Sequence, residues 1–180
     1  MKHLLAIAAV GLLSSVVHAQ AVIAKLDCPT QPIETKIIEV TGSDEALVQE
    51  VKDILYMNGP LAHTIIEKHE KYIIFKNAAD IDMKNLSIAK YISLDGAKFT
   101  KVAYNEYKGE DLLEETGSDI TTGAYTTTIS YTVTLIPTQI VPVIIYSVKL
   151  VMTLNVTTEK KGDYKGKGET TLVNCKLLSE

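Results

Sequence analysis

The hydrophobic and polar positions of this chain change period several times, and each change marks a segment. Leu4 to Val17 is an apolar run behind the short positive start Met1, Lys2, His3, and small residues follow at Ala19 and Ala21. That order is the order of a secretory signal peptide, and the run is shorter than the ~20 residues that span a bilayer as a helix. Residues 1–19 are expected to be a cleaved leader, with a cut after Ala21 as the alternative, and residues 20–180 to form one domain. Ile33 to Val40 alternates as a short strand, and Thr41, Gly42 and Ser43 break it. Ser43 then suits a helix N-cap, with Asp44 and Glu45 in the first turn, where the helix dipole favours acids. Leu47, Val51, Ile54 and Leu55 share one helical face, and Asn58, Gly59 and Pro60 end the helix.

Leu61, Ile65 and Ile66 continue at helical spacing, which predicts a second helix from Leu61 to about Lys71 and then a strand over Tyr72 to Lys76. Leu86 to Leu94 alternates, Asp95-Gly96 is a hairpin turn signal, and Ala97 to Glu106 forms the return strand. Gly109 to Gly117 carries Glu110, Asp111, Glu114 and Glu115 and reads as a solvated loop or helical turn; its spacing matches no calcium loop. Tyr125 to Leu135 alternates strictly. Its odd positions are mainly apolar, and Thr126, Thr128, Ser130, Thr132 and Thr134 form a hydroxyl ladder on the other face. Ile144 to Val156 lines one face with apolar side chains over more pleats than an ordinary strand has. Pro137 and Pro142 bracket the link between these two strands. Lys160 to Gly168 reads as a mobile glycine-lysine turn, and Glu169 to Leu178 as the closing strand. The expected fold is α+β, with one or two N-terminal helices packed on a curved antiparallel β-sheet that has long C-terminal strands.

Composition narrows the class of partner. Loss of the leader removes Lys2 and no acid, so the formal charge moves from −4 to −5. All 18 basic residues are lysine, and the chain has no arginine and no tryptophan. Without arginine the bidentate readout of bases and phosphates is missing, so a nucleic-acid partner is not expected. Cys28 and Cys175 are the only cysteines. In an oxidising compartment they are expected to pair and to join the first and last segments of the domain; two separate thiols or an intermolecular bond are the alternatives. Lys25, Leu26 and Asp27 before Cys28 lack the small residues of a bacterial lipid-attachment sequence.

Candidate chemistry is sparse. His63, Glu67 and His69 are the nearest thing to a metal or acid-base cluster, but on a helix His69 sits round the cylinder from His63, so the trio reads as a polar face. No nucleophile elbow or phosphate-binding glycine loop is present. The hydroxyl ladder matches the wet face of a strand, where threonine is favoured, with an ordered-lattice binder as the functional alternative. Asn85-Leu86-Ser87 and Asn155-Val156-Thr157 are glycosylation sequons if the host is eukaryotic.

The Thr-rich strand from Tyr125, the Ile136-Pro137 break, the Val141-Pro142-Val143 step and the second long strand, together residues 125–168, resemble the stalk strands of aerolysin-type pore-forming proteins of the epsilon-toxin and mosquitocidal-toxin group. The resemblance implies a secreted β-protein able to oligomerise and line a membrane pore. It covers about a quarter of the chain and carries over no functional residue. The leading expectation is an exported, non-catalytic binding or interaction protein, secreted or periplasmic. Its partner would be a small apolar ligand or another protein, with no cofactor, no integral membrane segment, and no catalytic, cofactor-binding or metal-ligating residue assigned. A membrane-active, aerolysin-like protein is the alternative.

Overall fold

Period-two alternation gives each strand one apolar face to bury, and here the sheet closes on itself so that those faces line one interior. The computed structural model describes residues 21–56, 58–61, 63–76 and 95–178. Eight antiparallel strands form a ring: β1 (Ala24–Cys28), β5 (Thr64–Lys68), β6 (Tyr72–Lys76), β7 (Lys98–Ala103), β8 (Glu106–Asp119), β9 (Gly123–Gln139), β10 (Ile145–Thr158) and β11 (Gly162–Leu178), with β11 pairing back onto β1. Between β1 and β5 the chain inserts β2 (Gln31–Glu34), β3 (Lys36–Thr41), α1 (Glu45–Leu55) and β4 (Asn58–Leu61). β2 and β4 form a separate two-stranded ribbon, and β3 extends the main sheet along β11. The expected antiparallel sheet, its long C-terminal strands and a helix packed against it are all present. The sheet is a closed barrel rather than an open curve, and the described residues contain one helix.

An up-and-down ring sorts its connections to two ends. The start of β1, the end of β11 and the β5–β6, β7–β8 and β9–β10 turns share one, here called the terminal end. The inserted segment and the β8–β9 and β10–β11 turns share the other, the helix end. Register fixes which side chains enter. Val148, Leu150, Met152 and Leu154 of β10 stand opposite Leu135, Val133, Tyr131 and Ile129 of β9, and all are buried. Phe75, Phe99, Ile66, Ile73 and Leu26 fill the rest of the interior. The hydroxyl ladder lies on the outer face, so both faces of β9 follow the expected alternation. An eight-stranded barrel is narrow enough to be filled by its own side chains. Phe75 and Phe99 meet edge to face with centroids 5.2 Å apart.

β11 would expose Cys175 if its alternation ran unbroken, because Cys175 lies an odd number of positions beyond the inward-facing Leu172 and Tyr164. Asn174 adopts the left-handed region, φ 58°, and the pairing with β10 slips between Tyr146 and Val148. This bulge inserts one residue and reverses the phase. Cys175 therefore turns inward and joins Cys28 in a disulfide across the β1–β11 seam. Only Lys25–Leu178, Leu26–Leu177 and Asp27–Lys176 are otherwise paired there. Farther along, where β1 has ended, β3 becomes the partner of β11. In the gap between them the Gln31 side chain acts as a strand: its Nε2 donates to Val173 O at 3.1 Å and its Oε1 accepts from Val173 N at 2.8 Å.

Several sequence expectations change. Residues 61–71 are not helical, because Thr64, Ile66 and Lys68 alternate inward between β1 and β6 and both neighbours supply a hydrogen-bond ladder; tertiary pairing overrides a helical spacing of apolar residues. The predicted Ile33–Val40 strand breaks at Thr35 and serves two sheets, with Thr35 Oγ1 2.9 Å from Thr170 Oγ1. Gly109–Gly117 lies within β8 rather than in a loop. Lys160–Gly168 is mostly strand: Gly166 and Gly168 sit two apart on the face that α1 approaches, where a Cβ on Gly166 would lie 2.7 Å from Val51 and one on Gly168 would lie 2.7 Å from Thr35. The Leu86–Leu94 half of the expected hairpin lies outside the described residues, as does Asn85. Asp95-Gly96 is a turn, but not that of the expected hairpin: both edges of β7 are taken, by β6 and β8, and the expected return strand breaks at Tyr104-Asn105.

Candidate functional site

Strands β8 to β11 run on past the short strands at the helix end, and their inward face there needs a cover. α1 supplies it in part. Its N-cap is Asp44, one residue beyond the predicted Ser43, with the carboxylate accepting from Ala46 N at 3.1 Å and Leu47 N at 3.3 Å. Ser43 Oγ donates instead to Lys161 O at 3.1 Å. Val51, Ile54 and Leu55 are buried, as their helical spacing predicts, and α1 lies over β11, β3 and β10. The inward faces of β8 and β9 are left facing a cavity of about 440 Å³.

The cavity wall on the α1 side is Leu47, Glu50, Val51 and Ile54; β10 and β11 contribute Val156, Thr158 and Tyr164, and β9 contributes Tyr125 and Thr127. Glu115 and Asp119 reach it from β8 and Thr122 from the β8–β9 turn. Glu115 is opposite Thr127, and Gly117 opposite Tyr125. The missing side chain at Gly117 lets the Tyr125 ring lie across β8, in space that a Cβ would occupy.

The rim is fastened. Asp119 accepts from Thr121 N at 2.6 Å, from Thr122 N at 2.8 Å and from the Thr122 hydroxyl; the Thr122 hydroxyl first, then its N–H, hold the carboxyl below the usual aspartate range. The β10–β11 turn binds the β8–β9 turn through Glu159 N to Ala124 O, 2.8 Å, and Lys160 N to Thr122 O, 3.1 Å. Lys161 Nζ lies 2.6 Å from Asp44 Oδ2, tying that turn to the start of α1; this contact lowers the Asp44 pKa and raises that of Lys161. Glu50 and Glu115 differ from these groups. Among the described residues neither makes a hydrogen bond or an ion pair, and both border the apolar surface of Val51, Ile54 and Val156.

The sequence-predicted polar residues are dispersed. His63 is exposed and contacts the Asp27 carboxylate on the outer surface. Glu67 faces Lys25 at 3.8 Å, and His69 is buried in the β5–β6 turn, stacked on Tyr72 with centroids 4.2 Å apart. Among the described residues no three His, Cys, Asp or Glu side chains converge as a metal site. The Tyr107 and Tyr131 hydroxyls are buried in the barrel without a partner, and burial pushes both phenols up, Tyr131 far above its usual range. Both stay protonated. Of the cavity residues, the sequence points to Leu47, Val51, Ile54, Tyr125, Thr127 and Val156 as members of inward faces and to Glu115 as part of an acidic stretch. The usable signal was Glu115-Thr116-Gly117-Ser118-Asp119, which alternates like a strand once its acids are not taken for a loop. No family model, curated protein or solved structure matches this chain.

Proposed function

We propose that the protein is an exported, non-catalytic binding protein whose ligand occupies the cavity between α1 and the inward faces of β8–β10. The observation that carries this reading is the cavity itself. Its volume of about 440 Å³ falls within the ~300–1,000 Å³ range of small-molecule sites, and the ties among Asp44, Lys161, Thr122 and Ala124 hold its rim in place without a ligand. Preformed walls lower the ordering cost of binding. The lining favours a small molecule with an apolar body and a cationic group: the body against Val51, Ile54 and Val156, the cation beside Glu50 and Glu115. The disulfide fits an oxidising, extracytoplasmic compartment, and the signal peptide read at residues 1–19 is the means of reaching it.

A matched pair of probes tests this: 1-naphthylmethylamine and 1-naphthylacetate share a body and differ in charge, and a chain without tryptophan leaves naphthalene fluorescence unobscured. The amine is expected to bind about tenfold more tightly than the acid, with Glu115→Gln removing most of that difference. Ile54→Trp, which fills the cavity and is read by titration calorimetry because it brings in a tryptophan, should abolish binding. Failure of both probes to bind, or binding that Ile54→Trp leaves unchanged, would overturn the reading.

A second reading, the membrane-active aerolysin-like one, draws support from one feature: from Ile120 to Val148 no residue carries a charge, and β9 and β10 are each longer than the ~9–11 residues a spanning strand needs. It requires the apolar faces now inside the barrel to turn outward to lipid, since spanning barrels present apolar side chains outside. SDS-resistant oligomers and dye release from liposomes are its signature, and a monomer that releases no dye would contradict it.

A further inference from the structure

Exposed apolar side chains are unevenly distributed over this barrel. The topology brings the β7–β8 turn, the β9–β10 turn and both ends of the described chain to the terminal end. There Tyr104 is 87% exposed, Val141 78%, Ile140 70% and Ile23 57%, joined by Val102 and Leu178, whereas the β8–β9 turn at the helix end carries Ile120, 94% exposed, as a single apolar tip. Scattered exposed apolar residues are ordinary, whereas a concentration at one end calls for a partner.

Charge says which partner. Although the chain is acidic as a whole, its terminal end is ringed by lysines set just behind the apolar tips. Lys101 adjoins Val102, and its N–H donates to Lys71 O at 2.8 Å, so two lysine-bearing segments abut. Lys68 ends the inward face of β5; burial first, and then the charge of Lys101, lower its pKa. Lys176 stands opposite Ile145 on β10. The carboxylates at this end are Asp27, opposite Lys176 on β11 and in contact with His63, Glu67, engaged by Lys25 at 3.8 Å, Glu70 in the β5–β6 turn and Glu106 at the start of β8. Asp44, Glu45, Glu50, Asp53, Glu115 and Asp119 all lie toward the helix end. The β9–β10 turn lies wholly within the uncharged stretch from Ile120 to Val148, so its tip enters a low-dielectric layer without dehydrating a charge.

We propose that the terminal end of the barrel docks on an anionic lipid surface, with Ile140 and Val141 seated among the acyl chains and Lys68, Lys71, Lys101 and Lys176 at the level of the phosphates. An apolar tip backed by lysines is the arrangement that combines burial with attraction to anionic headgroups. Docking leaves the barrel closed and the cavity, at the opposite end, facing water.

Vesicle co-sedimentation tests the proposal with residues 20–180, the chain that the expected cleavage leaves. The disulfide-bonded protein is expected to pellet with phosphatidylcholine vesicles containing phosphatidylglycerol and to bind pure phosphatidylcholine about tenfold less. Binding should weaken with added salt, because surface attraction is screened beyond a Debye length of about 8–10 Å. Val141→Asp, at an exposed site that leaves the fold intact by circular dichroism, should reduce binding about tenfold, as should the pair Lys71→Gln and Lys176→Gln. Entrapped dye should be retained. Absence of binding to anionic vesicles, binding indifferent to Val141→Asp, or dye release would overturn it, as would a stable dimer in solution that Val141→Asp dissociates.

Discussion

Single residues decide where this chain departs from simple alternation, and Gly166 is the clearest case. Among lysines and near Gly162 and Gly168 it suggests a loose turn, yet it lies in β11 because the α1 side chains need the space its Cβ would fill, 2.5 Å from Leu55 and 2.7 Å from Val51. Overpacking of this kind costs about 1–3 kcal/mol. Gly166→Ala is therefore expected to lower the unfolding free energy by that amount, read as a lower denaturant midpoint at an unchanged m-value; an unchanged midpoint would show that α1 does not press on β11. Asn174 acts in the opposite sense, since its left-handed backbone inserts the extra residue that turns Cys175 inward. Glycine clusters and one asparagine in a strand look the same in sequence whether they loosen the chain or fit it tightly, so neither role was legible before the partner surface was known.

At the scale of elements, α1 and β9–β10 were legible because their own periodicity names the buried face, and the buried faces are those the spacing selects. β5 and β8 were not. β5 follows helical spacing locally and becomes a strand through pairing with β1 and β6, while the acids of β8 disguise its alternation. The cavity was illegible for the same reason, since it forms where α1 covers β10 and β11 and leaves β8 and β9 bare. The tie between Asp44 and Lys161 makes the seating of α1 sensitive to acid. Because the folded Asp44 carboxyl titrates below its ordinary value of 3.8, its stabilising contribution is complete above that value and is lost as pH falls through the lowered one. Asp44→Asn, whose amide oxygen still caps the helix, should melt a few degrees below the unaltered protein at neutral pH, and the two curves should converge below pH 3.8. A constant offset at every pH would mean that the ion pair does not fasten the helix.

For the whole molecule, the decisive joint is the β1–β11 seam. The disulfide closes a loop between residues 147 apart, worth about 5 kcal/mol in the chain-entropy treatment and commonly 2–5 kcal/mol by measurement. The pairing of Cys28 with Cys175 was legible from their number and from the leader; their place on the seam was not, because it depends on the bulge. Replacing both by alanine is expected to cost about 2–5 kcal/mol and to release amide protection first in β1 and the end of β11, while β9 and β10 keep theirs. Uniform loss across the barrel would place the weak joint elsewhere. The central claim, that a closed and pre-organised barrel holds a ligand between α1 and the bare faces of β8 and β9, is tested most directly by titrating the isotope-labelled protein with 1-naphthylmethylamine and following backbone amide shifts. Shifts should saturate at Val51, Ile54, Glu115, Tyr125, Thr127 and Val156 and leave the terminal end unmoved; shifts absent there, or centred on the terminal end, would contradict it.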